Sequence, residues 1–179
     1  MDPSADGPAI HYHMIRGSNN QNVTVWEPGR VGEEYIKTYG HYHVGDISET
    51  YRILFGEGIA VVQKRVERGG QPIDDEIEGI YIVHVKPGDA LFMQSGWGHL
   101  VDNITDGFIV TIDYIPVSFD KVDSVSLPGH AFYEEVKKMQ GFCYYVVEKD
   151  GKLALVKNEK YKKIPEIQII EASAYPLKK

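Results

Sequence analysis

Residues 40–56 read GHYHVGDISETYRILFG, and the interpretation of this chain begins with them. His41 and His43 stand two residues apart, and side chains at positions i and i+2 of a β-strand point to the same face. Two imidazoles placed in this way can bind one metal ion. After a turn, Glu49 and Tyr51 share one face of a second strand, which is able to lie beside the first. A side chain of this neighbouring strand, such as Glu49, can then provide a third ligand to the same metal ion.

A second stretch brings another histidine from further along the chain. Pro87-Gly88-Asp89 predicts a turn before an apolar strand, and residues 96–103, GWGHLVDN, place His99 on another strand. A single histidine is more often a hydrogen-bonded structural residue than a ligand. The joint pattern of the two stretches is therefore what indicates a metal site.

The composition describes one domain and excludes several classes of function. The chain has 179 residues and a mass of 20.2 kDa, the usual size of a single domain. Its 19 Lys and Arg against 26 Asp and Glu give a net charge of −7, so we expect no nucleic-acid partner and no binding to anionic membranes. There is no apolar run of membrane-spanning length and no signal-peptide pattern at the start, so we predict a cytoplasmic protein.

Histidine outnumbers cysteine by seven to one. The single cysteine, Cys143, lies in apolar, strand-like sequence and is predicted to be a small core residue rather than a catalytic thiol. Imidazole and carboxylate groups must therefore hold any metal.

The rest of the chain predicts an all-β sandwich or barrel. From Val23 onward, short runs rich in Val, Ile, Tyr, Thr and Phe alternate with clusters of Gly, Pro, Asp and Asn. One helix is predicted over 131–139, the polar stretch 67–78 is predicted to be an exposed loop, and 167–170 is predicted to be an edge strand able to pair across a dimer. The predicted strands cover 22–26, 35–44, 50–55, 59–66, 79–85, 90–93, 98–101, 108–114, 142–148 and 152–156.

The two histidine stretches together resemble the two signature motifs of the cupin superfamily. The first is His-x-His followed six residues later by Glu and then by Gly56, and the second is Gly-x-x-His-x-x-x-Asn ending at Asn103. The resemblance implies a cupin fold, that is, a double-stranded β-helix or jelly-roll barrel, with a short C-terminal helix. It also implies one divalent metal ion, with a ligand set of His41, His43, Glu49 and His99.

A narrower resemblance is to the cupin-type glucose-6-phosphate isomerases known chiefly from archaea. It is carried by residues 25–35 (VWEPGRVGEEY), 38–43 (TYGHYH) and 49–51 (ETY). After His99 the chain departs from that family, because Leu100-Val101 replace the usual Arg-Thr, and substrate specificity can differ there. The resemblance implies an N-terminal arm, a barrel domain and a C-terminal extension, over residues 1–22, 23–163 and 164–179.

The resemblance implies an isomerase that interconverts glucose 6-phosphate and fructose 6-phosphate in glycolysis and gluconeogenesis. Three imidazoles and one carboxylate leave open positions on a six-coordinate ion, and this donor set suits Fe(II), Mn(II), Ni(II) or Zn(II), with Fe(II) expected. Glu49 is the expected base for proton transfer through a cis-enediol, and a hydride shift is the alternative. Tyr51, on the same face, is expected either to hydrogen-bond the substrate or to fill the barrel.

The resemblance also places the substrate. The phosphate is expected near Thr24, Thr38 and Gly40, where hydroxyls and a backbone N–H bind an anion without a cationic side chain. His130 is expected to reach the sugar. The expected partners are a phosphorylated sugar and a second copy of the chain in a homodimer.

Two other functions stay open at this point. A metal-dependent cupin dioxygenase would use the same four ligands and place O2 at an open position. A non-catalytic sugar-binding cupin is favoured by the altered residues beside His99. The remaining histidines, His11, His13 and His84, are predicted to have surface or cross-strand roles without function.

Overall fold

The computed structural model describes residues 4–17, 21–115, 131–167 and 169–177, and β-strands dominate it. The α-helix of this described part, α1, is Glu134–Met139. The strands are β1 (Tyr12–Arg16), β2 (Gln21–Trp26), β3 (Arg30–Val31), β4 (Glu34–Tyr35), β5 (Tyr42–His43), β6 (Glu49–Phe55), β7 (Gly58–Arg68), β8 (Gln71–Val85), β9 (Ala90–Met93), β10 (Trp97–Asn103), β11 (Ile109–Tyr114), β12 (Ala131–Phe132), β13 (Tyr144–Lys149), β14 (Lys152–Lys157) and β15 (Ile169–Glu171).

Two sheets face each other and enclose the core. The front sheet has the strand order β1-β2-β11-β6-β9, and the back sheet has the order β10-β7-β8-β15. Trp26 and Ile53 of the front sheet meet Val62, Val83 and Val101 of the back sheet in one buried cluster. Burial alternates along β2 and β11, as expected for strands with one face toward a core. The all-β, jelly-roll cupin prediction is confirmed.

A further layer covers the outer side of the back sheet. Val61 and Leu100 point outward from that sheet and pack against Val136 of α1 and Phe142. Cys143 lies in this layer with no exposed surface, and burial raises the pKa of its thiol to about 12. The prediction that it is a core residue is confirmed.

The prediction of an exposed loop over 67–78 is wrong. β7 and β8 form one long antiparallel hairpin, in which Gly69 and Gly70 are the two turn residues, with φ of +61° and +75°. Two consecutive positive φ values suit a tight hairpin turn. The polar composition reflects an exposed ribbon stabilised by cross-strand ion pairs, since Arg65 lies 2.9 Å from Asp74.

The predicted strand over 35–44 is broken into β4 and β5. Gly40, with φ of +80°, interrupts it, because a left-handed backbone conformation cannot continue a strand. Two other elements also differ from the predictions. The helix begins at Glu134 rather than at residue 131, because residues 131–132 form β12, which pairs with β5. The tail strand β15 pairs in parallel with β8 of the same chain rather than across a dimer.

The first and last strands extend the two sheets of the barrel. β1 is the edge of the front sheet and β15 is the edge of the back sheet, so strands from both terminal segments add to the barrel. The division into 1–22, 23–163 and 164–179 stays a prediction. In the described ranges, no helix has the length and apolar character needed to cross a membrane.

Candidate metal centre

Four side chains meet inside the barrel, and they are the predicted ligands. His41, His43, Glu49 and His99 each offer one ligand atom, and these atoms lie within 4.8 Å of one another. His41 Nε2 is 3.2 Å from His43 Nε2, and His43 Nε2 is 3.5 Å from Glu49 Oε1. Glu49 Oε1 is also in contact with His99 Nε2. The structure therefore brings together the residues that sequence reasoning selected.

The ligands come from both sides of the barrel, which differs from the expectation for Glu49. His41 pairs with His99 of the back sheet in an isolated antiparallel bridge. Glu49 starts β6, which pairs with β9 and β11 of the front sheet and not with the segment that holds His41. Its carboxylate reaches the histidines because the inner faces of the two sheets point at each other.

Two of the imidazoles are oriented by backbone carbonyl groups. His43 Nδ1 lies 3.3 Å from the carbonyl oxygen of Ile47, and His99 Nδ1 lies 3.4 Å from that of Trp97. A protonated Nδ1 donating to a carbonyl leaves the lone pair on Nε2, which is the form of imidazole that binds a metal. In both rings Nε2 is the atom that faces the centre of the cluster.

The electrostatics of the cluster fit a cation. Burial, helped by the nearby rings of His99 and His43, lowers the pKa of His41 well below its usual value, so that imidazole is neutral at pH 7. Burial opposes the ionisation of Glu49, but His99 and His43 more than offset it and lower the pKa of that carboxyl. An ionised carboxylate beside three imidazoles is a set of donors that a divalent ion can bind.

Two unpartnered atoms give a second indication of a ligand. Glu49 Oε1 and His99 Nε2 are buried, touch each other and have no hydrogen-bond partner. Buried polar atoms are rarely left without a partner, because each loses its hydration without compensation. A metal ion bound by both atoms would satisfy them, so the residues present fit the predicted cofactor.

Two tyrosines border the cluster. The ring of Tyr51 lies 5.5 Å from that of His99, and the ring of Tyr133 lies 5.4 Å from that of His41. Burial, with the charge of Glu49, raises the pKa of Tyr51 well above 10, and burial raises the pKa of Tyr133 to about 12. Both phenols therefore remain hydrogen-bond donors at neutral pH.

Sequence reasoning missed Tyr133. The only signal for it was its position at the start of the predicted helix, close in sequence to His130. Its neighbour in the structure is Tyr39, whose ring lies 5.8 Å away. That contact joins two segments that are far apart in the sequence, and no local pattern predicts it.

The predicted substrate-binding residues occupy different surroundings. Thr24 is buried on the inner face of β2, at 2% exposure. Thr38 Oγ1 accepts a hydrogen bond from the N–H of Val101 at 3.4 Å and lines a cleft of about 370 Å³ together with Lys37. Gly40 is buried between the barrel and the outer layer. His130 lies outside the described residues.

The other described histidines lie at the surface and cross-strand positions that were predicted for them. His11 and His13 are exposed, and His13 lies 3.1 Å from Glu27. His84 lies between two carboxylates, 3.2 Å from Glu57 and 3.3 Å from Glu171 on the neighbouring strand. They lie outside the four-residue cluster.

Comparison with known proteins identifies the family. The family model described as glucose-6-phosphate isomerase (GPI) matches residues 13–164. The chain belongs to the glucose-6-phosphate isomerase family. This family member is 28% identical to the glucose-6-phosphate isomerase of Pyrococcus furiosus, over 87% of this chain and 71% of that relative. It is 29% identical to the enzyme of the same name from Thermococcus litoralis, over 86% and 70% of the two chains.

Solved structures resemble this family member more loosely. The cupin domain of Drosophila melanogaster CENP-C is 12% identical and matches with a TM-score of 0.42, covering 64% of this chain and 83% of that one. A predicted oxalate decarboxylase from Thermotoga maritima is 22% identical with a TM-score of 0.36, over 53% of this chain and 63% of that one. The assignment to an isomerase family comes from the sequence matches, and it confirms the prediction of an isomerase.

Proposed function

We propose that this protein is a metal-dependent aldose–ketose isomerase that interconverts glucose 6-phosphate and fructose 6-phosphate. The observation that supports this most is the convergence of three imidazoles and one carboxylate, two of whose facing atoms have no hydrogen-bond partner, in a member of this family. The reaction belongs to glycolysis and gluconeogenesis, and we place it in the cytoplasm.

His41, His43, Glu49 and His99 hold the ion in this proposal. A divalent ion held there would supply Lewis-acid chemistry toward the carbonyl and hydroxyl groups at C1 and C2 of the open-chain sugar. Fe(II) is our first candidate, and Mn(II), Ni(II) and Zn(II) suit the same donors.

Glu49 is the proposed base. Its carboxylate takes the proton from C2 of the aldose, the C–H electron pair forms the double bond of a cis-enediol, and the C1 oxygen gains the proton that the C2 hydroxyl gives up. Glu49, whose bound proton can exchange with solvent in the meantime, then delivers a proton to C1 to give the ketose. Tyr51 lies on the same inner face and donates a hydrogen bond to a sugar oxygen. Isomerisation of substrate deuterated at C2 tests this step, since loss of deuterium to solvent supports proton transfer and full retention would establish a hydride shift instead.

The remaining predicted contacts belong to the proposal as well. Thr24, Thr38 and the backbone N–H of Gly40 are assigned to the phosphate, and His130 is assigned to the sugar. Thr24 supports this by lying on the inner face of the front sheet, among the other polar residues of that face.

A coupled assay that converts fructose 6-phosphate to glucose 6-phosphate tests the whole proposal. The protein is loaded in turn with Fe(II), Mn(II), Ni(II) and Zn(II), and His99→Ala is compared with His84→Ala, a histidine of the same sheet outside the cluster. We expect activity in wild type and His84→Ala and its loss in His99→Ala. Full activity of His99→Ala would refute the site. Oxygen uptake linked to turnover would indicate a dioxygenase, and sugar binding without turnover in any metal form would indicate a non-catalytic cupin.

A homodimer completes the proposal. The outer face of the front sheet carries an apolar patch, with Val23 and Ile112 partly exposed there and Ile15 and Phe55 exposed at 61% and 60%. A sheet face of this kind is typical of a surface that another molecule covers. We expect light scattering to give a dimer mass for wild type and a monomer mass for Ile112→Asp.

A further inference from the structure

Tyr42 lies between the candidate ligands His41 and His43 and is fixed on the side away from the metal centre. Side chains alternate along an extended segment, so its ring points away from the two imidazoles, and it is 4% exposed. Its hydroxyl accepts a hydrogen bond from Gln63 Nε2 at 2.6 Å. β5 pairs with β12 over two residues, which gives few backbone hydrogen bonds to hold it. The contacts of the Tyr42 ring therefore help to set the direction of both imidazoles.

Arg65 covers this ring. Its guanidinium carbon lies 4.2 Å from the ring centroid of Tyr42, and its side chain is 13% exposed. A cation over an aromatic face is attracted by the negative charge of the π system, and the attraction is stronger where water is excluded. Because β7 supplies both Arg65 and Gln63, one strand holds the ring and the hydroxyl of Tyr42.

Two carboxylates hold the guanidinium in place. Arg65 Nη1 lies 2.9 Å from Asp74 Oδ1 of β8 and 3.8 Å from Glu135 Oε2 of α1. Glu135 Oε2 is buried and has no hydrogen-bond partner in the described ranges, so the nearby guanidinium charge offsets part of the cost of its burial. Lys138 of α1 also reaches Asp74, at 2.7 Å. Arg65 thus joins the segment that carries the ligands to the helix.

The same helix carries Tyr133 to His41. Tyr133 immediately precedes α1 and stands two residues before Glu135. Its ring lies 5.4 Å from that of His41. One path from Arg65 to His41 therefore runs through Tyr42, and a second runs through the helix. A shift of the guanidinium would disturb both neighbours of this imidazole.

A purely structural role does not require an arginine at this position. An apolar side chain would cover Tyr42 without the cost of removing a charge from water. Lysine would keep the charge, but it cannot stack flat on a ring while pairing with two carboxylates, as a planar guanidinium can. The combination of a ring contact and two ion pairs is therefore the feature to explain. The ring contact and the Glu135 pair both lead to groups beside the metal centre.

We propose that Arg65 is a positioning residue of the metal centre. Through Tyr42 it holds the two imidazoles beside that residue in the direction that a metal ion requires, and through α1 it keeps Tyr133 next to His41. This rests on the proposed function for the presence of the ion. Arg65 touches neither substrate nor metal, so its effect is on the geometry of the groups that do.

Binding of Co(II) alone to the metal-free protein tests the proposal, by calorimetry for affinity and by visible absorption for coordination geometry. We expect Arg65→Gln to weaken binding by about 10-fold and to change the absorption spectrum, as losses of residues behind metal ligands do. Arg65→Lys should weaken binding by about threefold, because it keeps the charge but not the planar stack. Arg68→Gln, which removes an exposed ion pair with Glu76 from the same hairpin, should bind as wild type.

The proposal is wrong if folded Arg65→Gln binds Co(II) within twofold of wild type and with the same spectrum. If Arg65→Gln does not fold, Arg65→Lys is measured instead, and a wild-type affinity and spectrum for it would overturn the proposal. In a Tyr42→Leu background, Arg65→Gln should weaken binding by no more than threefold, since the ring contact is gone and the helix path alone remains. A further loss of about 10-fold there would exclude positioning through Tyr42.

Melting temperatures of the metal-free variants separate positioning from stability. Arg30→Gln breaks a partly exposed ion pair with Glu148, which joins β3 to β13. A merely structural role for Arg65 predicts that Arg30→Gln and Arg65→Gln both lose stability and that both keep the Co(II) spectrum of wild type. Positioning predicts that Arg65→Gln alone changes the spectrum.

The proposed function can fail separately from this proposal. A wild type that binds Co(II) but does not isomerise fructose 6-phosphate in any metal form would refute the isomerase, while the Co(II) titrations still decide the role of Arg65. A wild type that binds no Co(II) would refute the metal centre and the positioning role together.

Discussion

His41 and His99 lie opposite each other in an antiparallel bridge, and each backbone N–H donates to the carbonyl oxygen of the other, at 3.3 and 3.0 Å. Their rings lie 4.6 Å apart. The backbone therefore fixes the separation of two candidate ligands from distant parts of the chain. Such preorganisation lowers the cost of assembling a metal site.

Removing the negative charge of Glu49 should weaken metal binding strongly and leave the protein folded. Glu49→Gln keeps the shape of the side chain but removes the anionic ligand, so we expect metal affinity to fall by about 100-fold or more, with a matching loss of activity. Metal content after dialysis, measured by atomic emission, checks this. A variant that retains one equivalent of metal would show that Glu49 is not a ligand. Glu57→Gln, at an exposed position, is the control.

Close packing under Tyr42 should make Gly98 irreplaceable. A Cβ atom at Gly98 would lie 2.6 Å from the ring of Tyr42, which stands between His41 and His43 on the same segment. We expect Gly98→Ala to lower the free energy of unfolding by roughly 1–3 kcal/mol and to weaken metal binding. Gly107→Ala is the matched control, because nothing lies within 4 Å of its added Cβ. Equal melting temperatures for the two variants would contradict this prediction.

Asp102 should make stability fall as pH rises. It is buried at 1% exposure, and neither carboxylate oxygen has a hydrogen-bond partner. Burial raises its pKa well above the value of 3.8 expected in the unfolded chain, with Lys37 opposing and Glu34 adding to the rise. Between that value and the folded-state pKa, the folded protein keeps a proton that the unfolded chain releases, so stability declines as pH increases.

Asp102→Asn should therefore remove this decline. We expect the variant to match wild type near pH 4 and to exceed it at pH 8 by roughly 1–3 kcal/mol. Urea unfolding at a series of pH values measures the difference. The exposed Asp106→Asn should follow wild type throughout. A wild type more stable than Asp102→Asn at pH 8 would show that the carboxylate is stabilised by a partner.

Gln63 should be needed for stability because both ends of its side-chain amide form hydrogen bonds inside the protein. Its amide nitrogen donates to the hydroxyl oxygens of Tyr42 at 2.6 Å and Tyr161 at 3.2 Å, and its oxygen accepts the N–H of Cys143 at 2.9 Å. Gln63→Leu removes the hydrogen bonds to the Tyr42 hydroxyl and to the buried N–H of Cys143, while Tyr161 still donates to the carbonyl oxygen of Gly141, so we expect a loss of roughly 2–4 kcal/mol. Denaturant unfolding measures it. Gln94→Leu, exposed at the barrel surface, is the control and should change stability little.

Local patterns predicted much of this molecule, as particular residues show. The placement of His41 and His43 on one face followed from period-2 alternation, and the position of Cys143 in the core followed from its apolar sequence context. The set of four candidate ligands followed from the resemblance to the cupin motifs. These features depend only on residues that are close together in the sequence, because the backbone of a strand directs successive side chains to alternate faces. The polar stretch 67–78 was misjudged because composition reflects exposure, and an exposed ribbon has the same composition as a loop.

The sequence by itself determined the fold class, the family and the four residues of the candidate metal centre. Only the tertiary structure decided that Glu49 comes from the opposite sheet, that Tyr133 borders His41, and that Asn22 lies opposite Asp113. Strand order and register pair residues far apart in the chain, and a shift of one residue turns every side chain to the other face. No local sequence pattern specifies strand order and register, because both depend on packing between segments that are far apart in the chain.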